Sequence, residues 1–200
     1  VIDYDPNGSL VTTHESQGTD MGLYGGLLGW EADDEQMPHY RSALEKAGIE
    51  TIVNYIDYGA THPNFYRISV SNSFITHTLS AISTGGGMME VLNIDGAEVS
   101  IFGDKYVVLI YGENLGLLQS MLPDWAQGNL RLTTSFIEIS TLIEFKKEEI
   151  AELESLPGVS NVCQLKPVVP VLEGKTSDLP FRYCSQMLEL GNFLSLFRHR

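Results

Sequence analysis

Residues 88–112 read MMEVLNIDGAEVSIFGDKYVVLIYG. Two apolar runs, MMEVLNI and EVSIF, flank Asp95-Gly96, a pair that readily adopts the positive φ of a tight hairpin turn. After Phe102-Gly103 the pattern restarts. KYVVLIYG is apolar without alternation, the mark of a buried strand. One segment therefore closes a first unit, residues 1–102, and opens a second from residue 103.

Upstream, TIVNYID (51–57), FYRISVS (65–71) and ITHTLSAI (75–82) are rich in β-branched and aromatic residues and predict strands. The opening VIDYDPNGSL predicts a strand entering a DPNG turn, and points to a natural chain that begins earlier. EADDEQMPHYRSALEKAG (31–48) predicts a helix capped by Asp33 or Asp34, with Pro38 near its first turn. Met37, Tyr40, Leu44 and Ala47 form its apolar stripe, and Gly48 stops it. Residues 20–29 suit a short helix with Gly22, Gly26 and Gly29 on one side. Glycine costs about 1 kcal/mol in a helix relative to alanine, so Gly22, Gly25, Gly26 and Gly29 imply close approach by a backbone, a ligand or a partner chain. Region 1–102 is thus a sheet with two helices packed on it.

Downstream, LGLLQSMLPDW starts as an amphipathic helix that Pro123 ends or bends. LRLTTSFIEIS and TLIEF predict strands. KKEEIAELESLPGV predicts a helix with Ile150, Leu153 and Leu156 inward, and SNVCQLKPVV a last strand. The order β-α-β-β-α-β over residues 103–170 is the ferredoxin-like split arrangement. Residues 171–200 open as a Pro/Gly/Ser linker and end in an amphipathic tail. The fold class is α+β.

The chain has 200 residues and a formal net charge of −14. Such a charge repels nucleic acid and anionic lipid unless a basic patch exists, and Lys and Arg are scattered. No run of about 18 apolar residues is present to span a membrane. Two cysteines, Cys163 and Cys184, make neither a disulfide framework nor the thiolate set of an iron–sulfur cluster, so a cytoplasmic setting is expected.

Three polar clusters carry candidate chemistry. HESQGTD (14–20) groups His14, Glu15, Gln17, Thr19 and Asp20; it reads either as one wall of a site or as a turn with a helix cap. THPN (61–64) holds His62 before a proline that keeps it extended, in a structural or a catalytic role. STGGG (83–87) lies between two strands. Its glycines can turn successive N–H groups toward one carboxylate or phosphate, and a plain loop or bulge needs glycine too. No metal site is apparent: His14 and Glu15 are adjacent and splay apart, and no His pair has helical ligand spacing.

Together, NGSLVTTHESQGTD, GLLGWEADD, HPNFYRISV and AISTGGGMMEVLNIDG resemble the beta chain, or beta domain, of the iron–sulfur-dependent L-serine dehydratases (L-serine ammonia-lyases) over most of residues 7–100. Residues 104–170 resemble an ACT domain, although of its usual Asp-x-Pro-Gly-type turn YGENLGLL keeps only Gly116. The resemblance implies a serine dehydratase beta-type (allosteric substrate binding) domain followed by a ferredoxin-like ACT domain. It implies deamination of a serine-like β-hydroxy amino acid to a 2-oxo acid and ammonia, at a site shared with an alpha chain in a hetero-oligomer. In that family a four-iron, 4Fe-4S cluster on cysteines acts as Lewis acid on the substrate hydroxyl. Here it is expected on the partner chain or a missing segment, with none bound by this chain. His62, His14 and Gln17 would be catalytic; Thr19, Asp20, Asn64, Ser83, Gly85, Gly86 and Gly87 would bind substrate, with Asp20 orienting a neighbour or capping a helix. The alternative is a regulatory amino-acid-binding module without chemistry. The family reads His-Gly-Thr-Asp where this chain has Gln17-Gly18-Thr19-Asp20, an amide in place of an imidazole, which implies a substrate other than plain L-serine.

Overall fold

In the computed structural model, which describes residues 1–85 and 88–168, the chain is α+β with two sheets. Gly86, Gly87, Cys184 and the tail from residue 171 lie outside the described residues. The first sheet contains β1 (Ile2–Tyr4), β2 (Val53–Tyr55), β3 (Phe65–Ser71), β4 (Thr76–Gly85), β5 (Met88–Ile94) and β6 (Ala97–Ile101). Their spatial order is β2-β1-β3-β4-β5-β6. β1 and β2 run parallel; every other neighbouring pair is antiparallel. Asp95 and Gly96 form the β5–β6 turn with φ of 51° and 83°, the left-handed region that Asp tolerates better than bulkier residues.

Three helices belong to this half: α1 (Leu10–Thr13), α2 (Thr19–Leu27) and α3 (Tyr40–Ala47). The helix expected from residue 31 begins regular winding only at Tyr40. A 3-10 turn over Met37–His39 accommodates Pro38, and the Asp34 carboxylate accepts the Gln36 N–H at 2.8 Å in a local turn instead of capping a helix. Gly48, at φ 68°, stops α3 as expected. Among the glycines of residues 22–29, Gly25 is the one with a close neighbour. A Cβ there would collide with the Met37 sulfur, whereas one at Gly22 or Gly26 would meet nothing within 4 Å. Tyr24 and Leu44 from α2 and α3 share a core with Ile2, Tyr4 and Tyr66 of the sheet.

The second sheet has β7 (Tyr106–Gly112), β8 (Leu130–Leu132), β9 (Ile137–Thr141) and β10 (Val159–Leu165), with α4 (Leu115–Met121) and α5 (Lys147–Glu154) as crossovers. The strand order β10-β7-β9-β8 is antiparallel throughout. LRLTTSFIEIS is not one strand but a hairpin. The Thr133 hydroxyl oxygen accepts the N–H groups of Ser135 at 3.2 Å and Phe136 at 3.0 Å, folding the run back on itself. TLIEF is correspondingly no strand beyond Thr141; Leu142 and Ile143 are exposed in a loop.

β7 is buried on both faces. Val107 and Leu109 enter the core of the first sheet, while Val108 and Ile110 pack with Leu118 of α4 and Ile150 and Leu153 of α5. A polar node at Asp95 joins the sheets. Its carboxylate lies 2.8 Å from Nδ1 of His77, accepts the Thr78 N–H at 2.8 Å and accepts the Tyr111 hydroxyl at 2.9 Å. Its carbonyl accepts the Ser135 hydroxyl at 2.7 Å. No helix among the described residues is long and apolar enough to cross a membrane.

Partial burial opposes ionisation of Asp95, but the Thr78 N–H, His77 and Tyr111 outweigh it and hold the carboxyl below its ordinary value. A carboxyl depressed in the folded state stabilises above its unfolded pKa, near 3.9, and loses that contribution as pH falls through the folded value. Asp95→Asn should therefore flatten the loss of stability below about pH 4. Chemical denaturation from pH 2 to 7 measures it; parallel profiles for wild type and variant would contradict the assignment.

Candidate active site

The C-terminal end of β1 organises two polar clusters. Tyr4, the last residue of β1, is fully buried, and its ring stacks on His14 with centroids 4.6 Å apart. The next residue, Asp5, holds two loops in place. Its carboxylate accepts the Asn7 N–H at 2.8 Å and the Ala60 N–H at 3.2 Å. The four-residue helix α1 runs between the clusters, from Ser9 before it to His14 after it.

In the first cluster, Nδ1 of His14 lies 2.8 Å from both Asp20 carboxylate oxygens. That nitrogen therefore carries a proton, since a carboxylate only accepts. Nε2 lies 2.9 Å from the Tyr55 hydroxyl. The Tyr4 hydroxyl donates to Oδ1 of Asp20 at 3.0 Å. Burial, then Asp20, pushes the Tyr4 phenol well above its ordinary value, so it stays a donor. His14 is 5% exposed and Asp20 3%. Asp20 sits in the first turn of α2, where the helix dipole favours a negative charge. It does not cap that helix; Gly18, at φ 78°, occupies the cap position. The Asp20 carboxylate is instead engaged by His14 and Tyr4. The cluster floors a cleft of about 300 Å³, also lined by Glu15, Arg41, Glu45 and Thr51.

The second cluster brings three distant segments together. The Asn64 amide nitrogen donates to the Ser83 carbonyl at 3.1 Å, and the Ser83 N–H donates to the Asn64 carbonyl at 3.1 Å. The Ser9 hydroxyl donates to Oδ1 of Asn64, and the Ser9 N–H to the Pro63 carbonyl at 2.8 Å. Gly8 permits this approach, because a Cβ there would sit 2.6 Å from the Pro63 oxygen. Nδ1 of His62 accepts the Asn64 N–H at 3.1 Å, so in the neutral ring the proton is on Nε2. His62 lines a pocket of about 120 Å³ with Asp5, Asn7 and Asp57.

The expected residues thus divide. His14 and Asp20 come together, as do His62, Asn64 and Ser83. Gly85 ends β4 at φ 93° beside the undescribed Gly86 and Gly87. Thr19 opens α2, half-buried. Gln17 is exposed in the turn after α1, and its side chain makes no hydrogen bond to a described residue. Tyr4 and Tyr55 were not among the expected residues. They sit opposite each other in the parallel β1–β2 register, a pairing that local patterning does not reveal.

No family model matches the chain. The chain is 31% identical over 170 residues, 79% of its length, to a Bacillus subtilis (strain 168) protein named probable L-serine dehydratase, beta chain, and the match covers 77% of that relative. It is 31% identical over 121 residues to the L-serine dehydratase, beta chain, of Peptoniphilus asaccharolyticus, covering 58% of this chain and 54% of the relative.

Removing His14 strands a buried carboxylate, whereas removing the Tyr4 hydroxyl deletes one donor to it. His14→Ala should destabilise the chain by about 3–5 kcal/mol and Tyr4→Phe by about 1–3 kcal/mol. Equilibrium denaturation ranks them; the opposite order would mean that Asp20 depends mainly on Tyr4.

Proposed function

Because the chain belongs to the L-serine dehydratase beta-chain family, we propose that it is the beta subunit, or beta half, of an iron–sulfur-dependent L-serine dehydratase-like lyase. Its reaction would deaminate a serine-like β-hydroxy amino acid to a 2-oxo acid and ammonia. The observation that carries this reading is the hydrogen-bonded convergence of Ser9, Asn64 and Ser83 around the loop of His62. Segments 55 and 19 residues away from Asn64 are drawn to it, and the glycine-rich strand end at Gly85 follows directly. In this reading Asn64 and the residues around Ser83 hold the substrate carboxylate, and His62 presents Nε2–H to the reacting centre. His14 and Asp20 handle a proton from the other side of the same strand end.

Residues 1–102 would then be the serine dehydratase beta-type domain and residues 103–170 the ACT-like domain. The strand order β10-β7-β9-β8 with two crossover helices supports the latter. Among the described residues no three His, Cys, Asp or Glu side chains gather so as to hold a metal ion, and they offer no set of thiolates for a cluster. In this reading the cluster is carried by an alpha chain or by a segment outside the described residues. Exposed Gln17, where the family reads His, favours a second reading, a regulatory amino-acid-binding module. Co-expression with a cluster-bearing alpha chain separates the two: 2-oxo acid release that needs both chains supports the lyase. Binding of an amino acid by this chain alone, with no such release, supports the module.

Within the reconstituted complex, His62→Ala should lower kcat by on the order of 10²–10⁴ while leaving the thermal midpoint of this chain unchanged. Undiminished turnover would remove His62 from the chemistry.

A further inference from the structure

The geometry points to Tyr55 as a catalytic residue that exchanges protons with the substrate through a relay of Tyr55, His14 and Asp20. This assignment rests on the lyase reading above. His14 offers a substrate in the cleft little surface of its own. It is 5% exposed, one face of its ring is stacked on Tyr4, and both of its nitrogens are engaged. Tyr55 is different: it is 51% exposed, yet its hydroxyl reaches Nε2 of His14 at 2.9 Å. It lines the cleft of about 300 Å³ together with His14 and Asp20 and is the most open of the three, so the Tyr55 oxygen is the outlet of the relay toward a bound molecule. Asp20 fixes the direction of the relay. By holding the proton on Nδ1 it leaves the Nε2 lone pair facing the Tyr55 O–H. It also stands ready to balance the charge of an imidazolium, as the acidic member of a nucleophile–His–acid triad does. Arg41, also lining the cleft, lies 3.5 Å from Glu15.

The proton count closes. Tyr55 gives its phenolic proton to Nε2 of His14; the O–H bond breaks, the N–H bond forms, and a phenolate faces the cleft. The phenolate takes the α-proton of a β-hydroxy amino acid, and the C–H bonding pair stays on carbon and displaces the β-hydroxyl. The departing hydroxide takes a proton from Tyr55, which is refilled from His14. Water leaves, and both side chains end as they began. No oxidant or reductant enters. The relay also makes sense of Gln17: with an imidazole already buried and oriented at His14, the exposed amide carries no proton-transfer duty.

The test uses the complex of this chain with its cluster-bearing partner and a panel of β-hydroxy amino acids. Tyr55→Phe should lower kcat by on the order of 10²–10⁴, leave KM within about twofold and leave the thermal midpoint unchanged. With α-deuterated substrate the isotope effect on kcat should rise, because α-proton removal becomes slower than the remaining steps. Asp20→Asn preserves shape but lets the amide donate to Nδ1, so that Nε2 carries the proton and the relay points the wrong way. It should show a comparable loss, and the double variant should be no worse than either single one. If the wild-type complex turns over and Tyr55→Phe equals it, or the double variant loses the product of the single losses, the relay is overturned and the lyase reading stands. If the wild-type complex releases no 2-oxo acid from any substrate, the lyase reading falls and the relay with it.

Discussion

The architecture depends on β7 being covered on both sides. Its odd-numbered residues, Val107 and Leu109, complete the core of the first sheet, and its even-numbered ones, Val108 and Ile110, complete the core beneath α4 and α5. A strand with two buried faces cannot slip by one residue without exchanging its two core faces. Packing around its end is correspondingly tight: a Cβ on Gly112 would run into Leu118 and the Gly158 carbonyl. The Asp95 node adds direction to this apolar join. Apolar contact brings the sheets together, and His77, Tyr111 and Ser135 converge on one residue of a turn whose backbone is already constrained.

The two halves of the candidate site differ in physical character. The His14 cluster is a buried polar network in which each member satisfies another, so it is rigid and intolerant of truncation. The His62 cluster is assembled from loop ends, with backbone groups of Pro63, Asn64 and Ser83 making many of its bonds. β1 separates them by a single residue step, from Tyr4 to Asp5. A three-residue strand thus sets the relation between the buried His14 network and the pocket beside His62.

Local chemistry made much of the fold legible. Asp95-Gly96, Gly48 and Pro123 mark their boundaries because each imposes a backbone torsion or removes a donor. The hairpin within LRLTTSFIEIS escaped because its turn contains neither glycine nor proline; Thr133 makes it with a side-chain hydroxyl that patterning does not weigh. Extended reading of TLIEF failed for the related reason that exposed Leu142 and Ile143 look like strand residues when burial is unknown. In the site, His14 and Asp20 share one polar stretch of sequence, six positions apart, so their contact is local. Tyr55, 41 positions away, was not legible, since only the parallel pairing of β1 with β2 brings it there.

The turn from His14 to Asp20 also behaves as a ruler. Glu15, Ser16 and Gln17 are exposed, so their identities carry little structural weight, but their number does. Successive helical residues are rotated by about 100°, so one residue gained or lost before α2 would swing Asp20 away from the imidazole. For this segment the number of residues, more than their side chains, carries the geometry. Substitution at residues 15–17 is therefore expected to leave the pairing of His14 with Asp20 in place, whereas an insertion or deletion there would break it.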